Sequence, residues 1–302
     1  MVTVMTTVYN RAYLISSLYQ SLIQQTNQNF EWLIVDDGST DNLKKLYEQW
    51  ISDEKRCFEM QYIYRENGGK HRAWNTGIQY AKGEYVFVVD SDDYLTDNAI
   101  QKVYKWIEQV QGDDSFAGVS GTKGRMYGDT IELLGKYPIG KKYVDASNRQ
   151  RYYKKLGGDK AEIYRRDLLL KYPFPEFEGE KFCSEVAVFG RIARAGYKLR
   201  WFPDIICICE YLEDGLTNTV YENKRTHFKG YTYVMKYSGK YEQFPINILK
   251  IGKYATNALR IGYSIKEGAR MIEVPIALYA LSKMAYDLNE GRKKLMKNGR
   301  KN

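Results

Sequence analysis

The segment Asp90-Ser91-Asp92-Asp93 places three carboxylates within four residues. Like charges this close repel one another, and the cluster is costly to hold unless a cation neutralises it. Mg²⁺ or Mn²⁺ suits such a site, taking one or two carboxylates and filling its other positions with water and phosphate oxygens. The competing reading is a solvated acidic loop that caps a helix starting near Asp97. A second acidic pair, Asp36-Asp37, runs into Gly38-Ser39-Thr40-Asp41. A carboxylate there can accept hydrogen bonds from a uracil N–H or a ribose hydroxyl. The same residues also make a turn, with Thr40 or Asp41 as the next helix cap. Third, Glu66-Asn67-Gly68-Gly69-Lys70-His71-Arg72 is a glycine turn followed by three potential cations, a combination that can contact a diphosphate. Its spacing is neither a P-loop nor a dinucleotide fingerprint.

Something must hold these segments together. Val2, Val4, Thr6 and Val8 alternate with Thr3, Met5 and Thr7, as in a buried strand. Leu14, Leu18 and Leu22 then recur at helical spacing. Glu31 to Asp36 reads as a second strand, and Leu43, Leu46, Tyr47 and Trp50 form the stripe of a helix. Met60 to Tyr64 is a third strand, and Trp74, Ile78 and Ala81 mark a helix. Tyr85 to Val89 is an apolar run expected of a parallel strand covered on both faces. Ile100, Val103, Ile107 and Val110 follow on another helix. This alternation predicts a doubly wound sheet with ligands at the carboxyl ends of its strands, where all three polar segments fall. From Ser115 to about Tyr211 the pattern is mixed: short strands at Phe116–Gly121, Glu162–Tyr164 and Ile205–Cys209, and a helix from about Ser184 to Ala195. Beyond Thr219 the chain reads as helical and rich in tyrosine.

Composition narrows the class. The chain has 302 residues, 44% hydrophobic and 27% charged, as globular proteins do. Its four cysteines form no CxxC pair, and only two histidines exist, which argues against a structural zinc site or a disulfide scaffold. Reduced thiols suit a cytoplasmic protein. No signal peptide and no apolar run of the ~20 residues that span a bilayer are evident. The net charge of +9 is uneven: from Lys250 onward twelve Lys and Arg face four Asp and Glu.

Taken in order, Thr7-Val8-Tyr9-Asn10-Arg11, Val35 to Asp41, Asn67-Gly68-Gly69, Ala73 to Ile78, Gly83-Glu84-Tyr85 and Asp90-Ser91-Asp92-Asp93 resemble the family 2 glycosyltransferases, inverting enzymes of the GT-A fold. The resemblance is dense to about residue 100. It continues through Glu180-Lys181-Phe182-Cys183-Ser184-Glu185 and Glu210-Tyr211-Leu212-Glu213-Asp214-Gly215-Leu216-Thr217. It implies a GT-A catalytic domain over residues 1–215, a Rossmann-like mixed sheet, followed by a helical extension over 216–302. It further implies a nucleotide-sugar donor, with UDP the expected nucleotide, and Mn²⁺ or Mg²⁺ as cofactor. Thr7, Tyr9 and Asp37 match positions that hold the nucleoside, Tyr9 against the base. Asp90 and Asp92 match the two acids of the DxD motif, one near the ribose and one on the metal, with Asp93 an adjacent candidate ligand. Lys70 would help balance the diphosphate charge. Glu185 matches the catalytic base, although relatives often carry Glu-Asp where this chain has Ser184-Glu185. Its place at a helix start also suits a carboxylate that merely complements the dipole. The Glu210–Thr217 stretch matches a loop that closes over the donor.

The implied reaction is transfer of a hexosyl or N-acetylhexosaminyl group to a saccharide or lipid-linked acceptor in cell-surface polysaccharide synthesis. A non-catalytic nucleotide-sugar or glycan-binding relative is the alternative. Acidic residues facing the crevice argue against nucleic acid as a partner. The apolar stretch Glu273 to Tyr286, followed by Arg292-Lys293-Lys294, suits either the surface of an anionic membrane or a packed helix and subunit contact.

Overall fold

The computed structural model describes residues 1–209 and 225–298. Strands β1 (Val2–Val8), β2 (Phe30–Asp36), β3 (Glu59–Tyr64) and β4 (Tyr85–Val88) run parallel in the order β3-β2-β1-β4. Helices α1 (Ile15–Ile23), α2 (Leu43–Ile51) and α3 (Lys70–Tyr80) connect them, and α4 (Ala99–Glu108) follows. β2 is buried at every position, which is why it reads as an apolar run and not an alternating one. The strand order reverses at β1: β2 and β3 build outward on one side, β4 on the other. A reversal of this kind leaves a crevice at the carboxyl ends of the two strands that flank it, here β1 and β4.

Beyond β4 the sheet becomes mixed. β9 (Lys160–Arg165) is antiparallel to both β4 and β6 (Phe116–Tyr127). β6 is parallel to β10 (Lys198–Cys209), which carries β5 (Asp93–Leu95) antiparallel on its far side. β7 (Thr130–Leu133) pairs with β6, and β8 (Val144–Ala146) with β10. The mixed α/β sheet with a doubly wound parallel part that the sequence leads one to expect is therefore present. Two elements differ in extent. β10 begins at Lys198, well before Ile205; its register slips between Trp201 and Ile205, where Pro203 cannot donate to the ladder, and this break hides the first half of the strand from the sequence pattern. β5 starts inside the acidic cluster, where the sequence suggests a loop; three residues are too few to show an alternation.

The core of this part packs both sheet faces. Tyr19 stacks on Trp50 with ring centroids 4.6 Å apart, and the buried Trp32 indole donates to Thr6 Oγ1 at 3.0 Å. Glu31 is fully buried yet satisfied: Thr3 Oγ1, Gln61 Nε2 and the Lys82 backbone N–H donate to it at 2.5, 2.9 and 2.6 Å. Since the Gly83 N–H donates to Thr3 Oγ1 at 2.8 Å, this network also ties the start of β4 to β1.

The chain divides into two compact units, Met1–Phe174 with Ala195–Gly215, and Pro175–Arg194 with Leu216–Asn302. Residues 175–194, which the sequence division leaves with the first domain, thus belong to the second unit. α5 (Arg166–Lys171) completes the first unit. The second holds α6 (Val186–Arg194), α7 (Phe228–Tyr237), α8 (Ile246–Arg260), α9 (Ile265–Met271) and α10 (Ile276–Asn298). Phe228, Ile251, Tyr254, Ala269 and Tyr279 form its core, so several of the tyrosines are packing residues.

Gly118 tests the sheet's tolerances. It pairs with Tyr164 on β9 at a φ of 152°, and a Cβ built on it would lie 2.0 Å from the Ile163 carbonyl oxygen. Backbone cannot yield as a side chain does. Gly118→Ala should destabilise the fold by about 3 kcal/mol, read as a drop in the denaturation midpoint; an unchanged midpoint would refute the register.

Candidate active site

The strand ends assemble the first unit's polar residues. Thr7 sits opposite Val35 near the end of β1, and the Val89 N–H donates to the Met5 carbonyl at 3.0 Å. This puts Asp90 beside the end of β1, at the reversal in strand order. Tyr9 follows β1 at its carboxyl end and is 50% exposed. The next residue fixes that loop: the Asn10 N–H donates to Ser39 Oγ at 2.9 Å, and Asn10 Oδ1 accepts the Thr40 N–H at 2.8 Å. The segments after β1 and β2 are therefore knitted to each other.

Asp37 is buried, and its role is visible in its donors. Gly68 and Gly69 backbone N–H groups reach its carboxylate at 3.1 and 2.7 Å, Asn67 Nδ2 at 3.1 Å, and Arg65 forms an ion pair with it. A carboxylate offers about four lone-pair sites, and these donors fill them. Gly38, at a φ of 83°, completes the fit, since a Cβ there would lie 2.6 Å from the Asn67 nitrogen. The Asp37-Gly38 and Asn67-Gly68-Gly69 segments are two halves of one structure, which delivers Lys70 to the first position of α3. Asp36 is held separately: Tyr62 OH donates to one oxygen and the Ser39 N–H to the other at 2.7 Å.

The three carboxylates of the acidic cluster have different surroundings. Lys70 Nζ lies 2.7 Å from Asp90 Oδ1. Burial opposes the charge on Asp90, but Lys70 and Lys123 outweigh it and hold the carboxyl below its ordinary range. Asp93, on β5, is buried and pairs with Lys123 Nζ of β6 at 2.7 Å. Cys209 and Cys207 thiols also point at Asp93 Oδ2, at 3.3 and 3.6 Å. Asp92 differs. Burial, then the charges of Asp90 and Asp93, push its carboxyl above the ordinary range. Among the described residues, it is the member of the three with no ion-pair partner. An under-neutralised carboxylate among hard oxygens fits a divalent cation. Asp93, Cys207 and Cys209 also converge closely enough to suggest a metal. The Lys123 ammonium already sits on that carboxylate, however, and a cation amid those atoms would be repelled. Lys123 and both thiols escape a sequence reading because strand pairing, not chain proximity, brings them to Asp93.

Glu185 belongs to the second unit. It is exposed, one residue before α6, and its carbonyl accepts the Val188 and Phe189 N–H groups at 2.9 and 3.0 Å. Glu180, at the start of the same motif, is buried and has a structural task. Its two oxygens accept the Lys229 and Gly230 N–H groups at 2.7 and 2.8 Å, capping the N-terminus of α7. A cavity of about 250 Å³ is lined by residues on both sides of Glu185, Ser184 and Val186, and by Tyr231, Met235 and Lys253. A larger depression of about 480 Å³ lies at the other end of β4, between Gly83 and Arg165; none of the strand-end carboxylates line it. The Glu210–Thr217 loop lies outside the described residues.

Comparison with known proteins bears on the family and the fold. The family model "Glycosyl transferase family 2" matches residues 3–168. Glycosyltransferase GlyG of Streptococcus pneumoniae is 34% identical over 114 residues, 37% of this chain and 37% of that protein. The chain thus spans little more than a third of that relative. S. aureus TarS 1–349 in complex with UDP-GlcNAc superposes with a TM-score of 0.58 at 19% identity, covering 95% of this chain and 92% of that one. Mannosyltransferase PcManGT of Pyrobaculum calidifontis, in complex with GDP-Man and Mn²⁺, gives 0.53 at 18% identity over 94% of this chain and 86% of that one. Matched over more than half its length by the family model, and folded as the GT-A glycosyltransferases are, the chain belongs to glycosyl transferase family 2.

Proposed function

We propose that the protein is an inverting, metal-dependent glycosyltransferase. It moves a hexosyl or N-acetylhexosaminyl group from a nucleotide sugar, UDP-linked, to a hydroxyl of a saccharide or lipid-linked saccharide during cell-surface polysaccharide synthesis. The observation that carries this reading is Asp92, a carboxylate crowded by two others and lacking an ion-pair partner among the described residues, at the crevice between β1 and β4. The solved GT-A structures with bound UDP-GlcNAc, or GDP-Man with Mn²⁺, support it by analogy of fold. The four free cysteines fit a reducing cytoplasm.

In this reading Tyr9 packs against the base, and Thr7 lies at the nucleoside. Asp37 acts mainly by holding Gly68 and Gly69 in place, so that α3 presents Lys70 and its N-terminal dipole to the diphosphate. Asp90 lies near the ribose. Asp92 is the main ligand of Mn²⁺ or Mg²⁺; Asp93 can add only the oxygen that Lys123 leaves open. A divalent cation held there would balance charge on the leaving nucleoside diphosphate. Lys70, once released from Asp90 by an incoming phosphate, would supply further positive charge. Glu185 would accept the proton of the acceptor hydroxyl as that oxygen attacks the anomeric carbon opposite the leaving group. A single displacement inverts the centre through an oxocarbenium-like state. The cavity beside Glu185 is smaller than the ~300 Å³ of ordinary small-molecule sites. It would take one ring or apolar group of the acceptor, not a whole chain.

Two experiments test this. Nucleoside diphosphate release from a panel of nucleotide sugars should require Mn²⁺ or Mg²⁺ and stop with chelator; release that ignores chelator would refute the metal role. Glu185→Gln should lower turnover roughly 100- to 10,000-fold while leaving metal-dependent UDP binding intact. Full turnover in that variant would remove Glu185 from the mechanism.

The acidic cluster gives a sharper contrast. Asp92→Asn removes a charge that its neighbours repel, so it should abolish the metal effect without lowering the melting temperature. Asp93→Asn strands the buried Lys123 and should cost about 3–5 kcal/mol of stability. Equal melting temperatures for the two variants would contradict this division.

A further inference from the structure

Helix α10 is clamped along one side. Tyr279 and Ser282 are fully buried on it. Its approach to α8 is so close that a Cβ on Gly252 would fall 2.2 Å from the Ser282 carbonyl oxygen, and one on Gly268 of α9 would fall 2.1 Å from the Tyr279 hydroxyl. This inner face fixes the rotation of the helix. The opposite face is then also fixed, and it is apolar. Leu281, Met284 and Leu288, spaced three and four residues apart, are 63%, 61% and 69% exposed. Ile276 and Leu278 are exposed at the start of the helix. Arg292, exposed and four residues beyond Leu288, continues the row.

An outward row of large apolar side chains on a firmly seated helix does nothing for this chain's own core. Charge selects its partner. The sequence from Lys250 onward carries twelve basic against four acidic residues. The two acids within α10 are already paired, Asp287 with Lys283 and Glu290 with Lys293. A second copy of the chain would bring like charge against like charge. An anionic lipid surface brings the opposite sign and accepts the apolar row. Among the described residues no helix is long and apolar enough to cross a membrane, so α10 would lie in the interface and not span it.

We infer that the outer face of α10, centred on Leu281, Met284 and Leu288, docks this protein in the plane of an anionic bilayer. Docking of this kind needs neither donor nor metal, so it stands or falls separately from the glycosyl-transfer reading. The test is flotation of the full chain with vesicles of phosphatidylcholine alone or mixed with phosphatidylglycerol. Binding should appear with the anionic vesicles, weaken with salt, and be absent with phosphatidylcholine alone. The Leu281→Ser/Leu288→Ser double variant should keep the wild-type melting temperature and bind about tenfold more weakly or less. Should that variant unfold, Met284→Ser is read in the same way. Failure of the wild type to float, or equal binding by a folded variant, would overturn the inference. So would light scattering that shows a dimer which the substitution dissociates, since the face would then belong to a second copy.

Discussion

Three carboxylates at one strand end repel each other, and the first unit is arranged around that repulsion. Asp90 and Asp93 receive their countercharges from distant parts of the chain: Lys70 from the start of α3 and Lys123 from the middle of β6. Lys70 reaches Asp90 within the parallel half of the sheet, whereas Lys123 reaches Asp93 only once the mixed half, with β6, is in place. The neutralisation is deliberately incomplete in its effect: Asp92 is left facing two negative neighbours. A fold that supplied a third lysine there would be more comfortable empty and less able to hold a divalent cation. The two ammonium groups also differ in kind. Lys123 is buried with Asp93, whereas Lys70 and Asp90 are each roughly a third exposed, so only the latter pair can exchange partners with a ligand.

The same economy appears at Asp37. Its carboxylate looks in the sequence like a group waiting for a ligand. In the structure its lone pairs are filled by Arg65, Asn67 and two glycine N–H groups. A buried carboxylate with four donors is an anchor, and what it anchors is the turn that aims α3. In the proposed reaction the aspartate would act on a diphosphate at one remove, through the placement of Lys70 and the helix N-terminus.

What could be read from the sequence follows from the range of the interactions. The β1 to α4 rhythm was legible because local periodicity sets it, and the strand-end position of the acidic segments followed from that rhythm. The partners Lys123, Cys207 and Cys209 were not legible, since β6 and β10 meet Asp93 only through pairing across more than a hundred residues in the longest case. β10 was half visible: Pro203 and the register slip beside it interrupt the alternation that marks a strand. Glu180 read as part of a functional motif, although its oxygens are occupied by the α7 N-terminus. A carboxylate seen in sequence says that charge is wanted at a position, not whether a ligand or a backbone wants it.

The extent of the family match bears on where specificity resides. The matched residues, 3–168, contain Tyr9, Asp37, Lys70 and the whole acidic cluster, and stop before Glu185. A nucleoside diphosphate presents the same charge and the same ring to every enzyme that uses it, so the residues proposed to meet it are narrowly constrained. Acceptors differ in size, charge and anchoring. The base proposed here, Glu185, would have to be presented by whatever structure suits the acceptor at hand. Here that structure is a helical unit whose own core is built on Phe228, Tyr254 and Tyr279 and whose motif is tied down by a buried cap at Glu180. If the proposed reaction holds, a change of acceptor would fall on the second unit, while the strand ends of the first could remain as they are.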